Sequence, residues 1–203
     1  MEAQLELRRA RLAAGDAPLG WKAGFGTPEA FEKLDTTAPL VGFLLRSAMV
    51  VSGTAYSTEG FGRPALEPEV AVRVGEGGVP SALGPAFEIA DVEQTSDVQR
   101  ILAGDIFQRG VVLGPMAERP SLEAASALVA VNGEEVRVAD PEALPGAIAD
   151  VVAHVSGFLP EFGEQLRPGD IVITGSIVPP LQIEPGDQVE YDLHGIGSVS
   201  ISF

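Results

Sequence analysis

Glu67 and Glu69 stand two residues apart at the head of LEPEVAVRVG (66–75), a run in which valine then alternates with smaller or polar residues. In a strand, that alternation puts Glu67, Glu69, Ala71 and Arg73 on one face and Val70, Val72 and Val74 on the other. Two carboxylates on one face, about 7 Å apart at a rise of ~3.3 Å per residue, can share a cation or can form a solvated pair at a strand mouth. Spacing does not choose between these readings. A chain with 29 acidic residues among 203 produces such pairs by chance, and three more occur, at Asp91/Glu93, Asp140/Glu142 and Glu190/Asp192. The last two read as solvated faces. Context favours a site for the first pair: Pro68 cannot donate to a sheet ladder, which predicts a strand start at an edge or rim. Glu88 lies among apolar residues in GPAFEIAD (84–91), where a buried carboxylate demands a cation or a proton. Three carboxylates without histidine or cysteine select a hard divalent ion, Mg²⁺ or Mn²⁺.

Composition narrows the chemistry further. The chain has no cysteine, two histidines (His154 and His194) and two lysines (Lys22 and Lys33), so thiolate and imidazole chemistry have almost no material to work with. Carboxylates, a lysine, hydroxyls and backbone groups must carry any reaction. A net charge of −16 repels a phosphate backbone or an anionic membrane, so neither nucleic acid nor membrane is expected as a partner. Apolar runs fall short of the roughly 18 residues of a membrane span, and the charged start MEAQLELRRARLAAG lacks the apolar stretch of a signal peptide. A cytoplasmic protein is the expectation.

The elements that must position these residues are mostly strands. Residues 2–14 have helical spacing, and TPEAFEKL (27–34) starts a short helix with a threonine cap and proline at its first position. A third helix is predicted from Thr95 or Ser96 to about Gly104, and a fourth through ADVVAHVSGFLPEFGEQL (149–166), divided by Pro160. RGVVLGP reads as a strand, SALVAVNGEEVRV as a hairpin around Asn132-Gly133, and two Pro-Gly-Asp turns each launch a strand. The whole is predicted to be a strand-rich α+β domain spanning 1–203, with a short N-terminal helical segment at about 2–35.

Taken in order, GWKAGFGTPEA, LEPEVAVRVG, GPAFEIAD, VVLGP, VNGEEV, LRPGDIVITGS and IEPGDQVEYDLHGIGSVSISF resemble the fumarylacetoacetate hydrolase superfamily, in its 2-oxopent-4-enoate hydratase and oxalocrotonate decarboxylase branch. The resemblance implies a mixed β-roll with few helices. It implies metal ligands at Glu67, Glu69 and Glu88 and an active-site lysine at Lys22, within the family's Gly-Tyr-Lys-x-Gly motif. Ser176, in the Thr-Gly-Ser strand end, falls beside the substrate, and Phe25 falls at the pocket wall or in the core. The implied chemistry is that of a Mg²⁺- or Mn²⁺-dependent lyase acting on a small 2-oxo or 2-hydroxydienoic acid through a metal-stabilised enolate, hydration first. A decarboxylase, an acylpyruvate hydrolase or a non-catalytic partner subunit are the alternatives, and a homo-oligomer is implied.

The chain departs from the family at several places. It begins later than typical members. Where hydratases of the branch carry Pro-Asp-Phe-Gly, it reads Pro39-Leu40-Val41-Gly42, and leucine cannot move a proton. The connection from Glu69 to Glu88 is shorter than usual, and Pro145-Gly146-Ala147 stands for Gly-His-Pro. Asp35 or Asp91 could supply the missing acid. By its residue type alone Lys22 would lie at the surface, Trp21 in the core and Ser176 simply at a strand end.

Overall fold

Two edges of one sheet are joined by three residues, and that constraint shapes the molecule. In chain order the elements are α1 (Glu2–Ala13), β1 (Pro18–Gly24), α2 (Pro28–Leu34), β2 (Leu40–Leu45), a 3₁₀ turn at Arg46–Ala48, β3 (Met49–Val50), β4 (Pro64–Val74), β5 (Pro80–Asp91) and α3 (Val98–Ala103). Then come β6 (Gln108–Leu113), β7 (Ala127–Val131), β8 (Glu134–Ala139), α4 (Ile148–Phe158), β9 (Ile171–Ser176), β10 (Leu181–Gln182), β11 (Gln188–Leu193) and β12 (Gly197–Ser202). The computed structural model describes residues 1–118, 127–139, 147–176 and 178–203. Asp140, Glu142, Pro145 and Gly146, singled out in the sequence, lie outside the described residues.

The larger sheet runs β2-β1-β9-β4-β5-β6-β3, with β10 added beside β4. Laid flat, seven strands at ~4.8 Å spacing would put β2 and β3 almost 30 Å apart. Residues 46–48, at no more than ~3.6 Å each, cannot bridge that distance. The sheet therefore curls into a roll. Leu19, Leu44, Ala71, Ala86, Val111 and Ile173 fill its inner face. The outer face, with Leu66, Val70, Val72, Phe87 and Val172, packs against Val151, Val152 and Val155 of α4 and against Val189, Tyr191 and Val199 of a second sheet ordered β12-β11-β7-β8. At one mouth of the roll a further cluster of Leu34, Leu40, Ile101, Leu102, Ile106 and Phe107 packs α2 and α3 over the opening.

Local chemistry explains most boundaries. The Thr27 hydroxyl accepts from Ala30 N–H at 3.3 Å with Pro28 at the first helical position, and α2 stops at Asp35 in the left-handed region. α3 starts at Val98, later than predicted, because Asp97 rather than Thr95 or Ser96 accepts from Gln99 and Arg100 N–H. Asn132 and Gly133, both at positive φ, turn β7 into β8. Both Pro-Gly-Asp turns work alike, Asp170 accepting from Arg167 N–H and Asp187 from Glu184 N–H. Pro160 lies in the 3₁₀ turn that ends α4. Among the described residues no helix is long and apolar enough to cross a membrane.

Two expectations are corrected. The segment at 2–35 is not only helical, because Pro18–Gly24 forms β1, paired with β2 on one side and β9 on the other. β4 is central rather than an edge strand, flanked by β5 on one side and by β9 and β10 on the other. Pro68 is tolerated there because its missing N–H falls where the ladder passes from β10, paired at Ala65 and Leu66, to β9, paired from Glu69 onward.

The β1–β9 pairing requires glycine at position 20, since a Cβ there would lie 1.8 Å from the Ile171 carbonyl oxygen. Gly20→Ala is expected to cost more than ~3 kcal/mol of folding free energy or to prevent folding, read from chemical denaturation against wild type.

Candidate metal centre and its lysine

The hairpin of β4 and β5 sets Glu67 directly opposite Glu88, with Glu69 two residues along and opposite Ser176 of β9. All three glutamates face the interior of the roll near the mouth covered by α2 and α3. One carboxylate oxygen from each lies within 4.8 Å of the others. Ligands at ~2.1 Å around an octahedral ion stand about 3–4.2 Å apart, so small side-chain rotations would close the set on a divalent ion. Glu69 and Glu88 are buried, and Glu67 is half-buried toward the mouth. Glu69 is aimed by a backbone donor: the N–H of Gly175, at positive φ in the Thr174-Gly175-Ser176 strand end, donates to its Oε2 at 2.9 Å. The short connection to Glu88 does not displace it, because the turn at 75–79 holds the hairpin register.

Lys22 enters from β1, which β9 separates from β4 in the sheet order. It is 2% exposed, so it is not a surface lysine. Its Nζ donates to Glu88 Oε1 and to the Ile106 carbonyl at 3.2 Å. Gly42 makes room for it on β2, since a Cβ there would lie 2.7 Å from Lys22 Cγ.

Three carboxylates against one ammonium leave a formal excess of two negative charges if all ionise. Burial and the Glu88 charge push Glu67 up to about 7, Lys22 opposing them. Burial and its two acidic neighbours hold Glu69 well above the carboxylate range, and burial raises Glu88 despite Lys22. For Lys22 burial favours the neutral amine, but Glu88, Glu67 and Asp105 outweigh it and keep the ammonium. An all-oxygen, doubly anionic cluster fits a divalent cation in both donor type and charge.

Ser176 and Phe25 lie at the rim. The Ser176 hydroxyl is within hydrogen-bonding distance of the Pro68 carbonyl, at 3.2 Å, and of the Val178 carbonyl. Phe25 is half-buried and meets Phe107 edge-on, 6.4 Å between centroids. The acids considered as substitutes serve the scaffold: Asp35 ends α2, and Asp91 accepts from Gly62 and Arg63 N–H. Leu40 packs with Ile106 and Phe107.

The residue that sequence reasoning missed is Asp105. It is 5% exposed and accepts from Gln4 Nε2 at 2.7 Å and Phe43 N–H at 3.0 Å. Burial lifts it to about 6, with Lys22, Phe43 and Gln4 opposing. Its only sequence signal was an acid between a helix-ending glycine and two apolar residues, in AGDIF.

A profile of the fumarylacetoacetate (FAA) hydrolase C-terminal family matches residues 22–202, from Lys22 through the last strand. The chain belongs to this family. Within it, the chain is 27% identical over 220 residues to 2-hydroxyhexa-2,4-dienoate hydratase of Comamonas testosteroni, covering 98% of this chain and 83% of that one. It is 28% identical over 218 residues to 4-oxalocrotonate decarboxylase of Pseudomonas putida, with the same coverage. A solved structure of 4-oxalocrotonate decarboxylase from Pseudomonas putida G7, complexed with magnesium and adipate, superposes with a TM-score of 0.88 at 25% identity, covering 98% of this chain and 83% of that one. The strand-rich roll is thus the family's fold.

Because Glu67 titrates near 7 in the folded chain against its ordinary 4.5, the metal-free fold holds a proton that the unfolded chain has lost. Its contribution is complete below about 4.5 and disappears as pH rises through about 7. Thermal melts without metal should show wild type losing on the order of 1–3 kcal/mol relative to Glu67→Gln between pH 5 and pH 8. A constant difference between the two proteins across that range would contradict this reading.

Proposed function

We propose that the protein is a divalent-metal-dependent lyase acting on a small 2-oxo or 2-hydroxydienoic acid, with hydration of a 2-oxopent-4-enoate-type substrate as the leading reaction. The convergence of Glu67, Glu69 and Glu88 beside the Lys22 ammonium carries this reading. The hydratase and decarboxylase names of the relatives support it.

The three glutamates would hold Mg²⁺ or Mn²⁺, Glu69 being fixed in direction by Gly175. When bound, such an ion supplies Lewis-acid chemistry, polarising a 2-oxo group and stabilising the negative charge that develops on its oxygen. Lys22, carrying three donor hydrogens and held as an ammonium, donates toward that charge and moves a proton to or from the neighbouring carbon. Lys22 Nζ donates to both Glu88 and the Ile106 carbonyl, so it would keep the Ile106 contact if Glu88 were turned to hold a cation. Phe25 supplies an apolar wall and the Ser176 hydroxyl a polar contact at the rim. The inner residues of the roll, apolar below the acids, keep bulk water from the charged cluster and so strengthen its interactions.

Decarboxylation is the second reading, and Leu40 favours it. That side chain is buried with Ile106 and Phe107, so no carboxylate stands at its position to help water add. Loss of CO₂ needs only an electron sink and one proton donor. Offering the chain with Mg²⁺ a 2-hydroxydienoate and 4-oxalocrotonate in parallel, with product analysis for the 4-hydroxy-2-oxo acid and for CO₂, decides between the two. Turnover of neither, with Mg²⁺ bound, would reject the lyase reading.

Two variants separate the roles. Glu69→Ala should weaken Mg²⁺ binding by calorimetry at least ~100-fold, beyond the ~10–100-fold typical of groups outside the coordination shell. Lys22→Met removes the cation that competes for Glu88, so it should bind Mg²⁺ at least as tightly as wild type while kcat falls ~100-fold or more.

A further inference from the structure

Asp105 sits at the first position of a turn that ought to be unfavourable. Asp105, Ile106 and Phe107 have φ values of 51°, 53° and 67°, three consecutive left-handed residues without a glycine. Aspartate visits that region readily, but a β-branched isoleucine there is an outlier that surrounding contacts must enforce. Those contacts come from two other parts of the chain. Phe43 N–H on β2 donates to Asp105 Oδ1, and so does Gln4 Nε2 from α1, 101 residues earlier. Gln4 is 1% exposed, and its Oε1 has no partner among the described residues, so α1 buries a polar side chain whose one bond is to Asp105. What the turn delivers is the Ile106 carbonyl, 3.2 Å from Lys22 Nζ. At Gly42, a Cβ would meet Lys22 Cγ at 2.7 Å and Asp105 Oδ1 at 3.0 Å, so the lysine stem and the aspartate pack across the same gap in β2.

We propose that Asp105, pinned by Gln4 of α1, is a positioning residue for Lys22: it fixes the turn whose Ile106 carbonyl receives the ammonium and keeps a negative charge beside it. The inference rests on the lyase reading, in which Lys22 serves the reaction. Its physical basis is the competition for Glu88. Lys22 has two acceptors, and the carboxylate is the one a divalent ion would take. What then directs a flexible four-carbon stem is the Ile106 carbonyl and the field of Asp105, neither of which belongs to the metal-holding set. The first helix thereby becomes part of the active site through a single side chain. Such a role differs from simple anchoring of α1, which would affect stability without regard to Lys22.

Asp105→Asn removes the charge while leaving an oxygen for Phe43 N–H. Gln4→Leu removes the donor while keeping a helix-forming side chain of similar size, so it carries the test if Asp105→Asn does not fold. Each is made in the wild-type and the Lys22→Met backgrounds, and kcat, KM, Mg²⁺ affinity and melting temperature are measured on whichever substrate the wild type turns over. A misplaced group typically loses up to ~100-fold in rate, so Asp105→Asn should lower kcat by ~10–100-fold and Gln4→Leu by about tenfold, with KM and Mg²⁺ affinity within about threefold of wild type. In the Lys22→Met background each should cost less than about twofold more, the non-additivity expected of groups acting through one another. A folded Asp105→Asn with kcat within about twofold of wild type, or the same fold-loss in both backgrounds, overturns the inference and leaves Asp105 as an anchor. Wild-type turnover by Lys22→Met alone is a separate failure, that of the lysine's place in the lyase reading.

Discussion

Everything in this molecule turns on gathering three carboxylates, two buried and one half-buried, with a single ammonium at the mouth of a curled sheet. Placing that much like charge out of water is expensive, and the cost can be relieved only by protons or by cations. The raised Glu67, Glu69 and Glu88 describe the proton solution, and a divalent ion would be the cation solution. Lys22 covers part of the deficit in either case, which is why a lysine is tolerated at 2% exposure. Stability and function pull against each other at this cluster: neutral residues would be better buried, and only ionisable ones could hold a metal.

The scaffold turns that costly arrangement into a fixed geometry by using register rather than loops. A short hairpin connection sets Glu67 opposite Glu88, and the bulge between Glu69 and Ala71 brings Gly175 N–H onto Glu69. Closure of the sheet through residues 46–48 brings β1 and β2 into the roll, carrying Lys22 and the glycine that clears its stem. α4 and the second sheet seal the outer face with a continuous apolar cluster, so the rigid strands can carry strained or charged groups on the inner side. The decarboxylase of known structure shares this scaffold.

The parts of this arrangement legible in sequence are those with local causes. Alternation from Glu67 to Arg73 correctly assigned the two faces of β4, and Asn132-Gly133, Thr27-Pro28 and the Pro-Gly-Asp turns each act through their own backbone. Glu88 among apolar residues announced a carboxylate in need of a partner. What was not legible depends on distant pairing. Pro68 argued for an edge, a rule overridden because the ladder on its side is split between β9 and β10. The burial of Lys22 follows from β1 lying between β2 and β9, which its glycine-spaced sequence did not reveal. The bond between Gln4 and Asp105 spans 101 residues, and no local pattern in either stretch marks it.

The most direct measurement is the anomalous difference density of a crystal soaked in Mn²⁺, recorded at a wavelength where manganese scatters anomalously. The account requires one dominant peak between Glu67, Glu69 and Glu88, within ~2.0–2.3 Å of a carboxylate oxygen from each and with Lys22 Nζ drawn off Glu88 toward the Ile106 carbonyl. Density only at other acidic positions on the surface, with Lys22 still seated on Glu88, would contradict it.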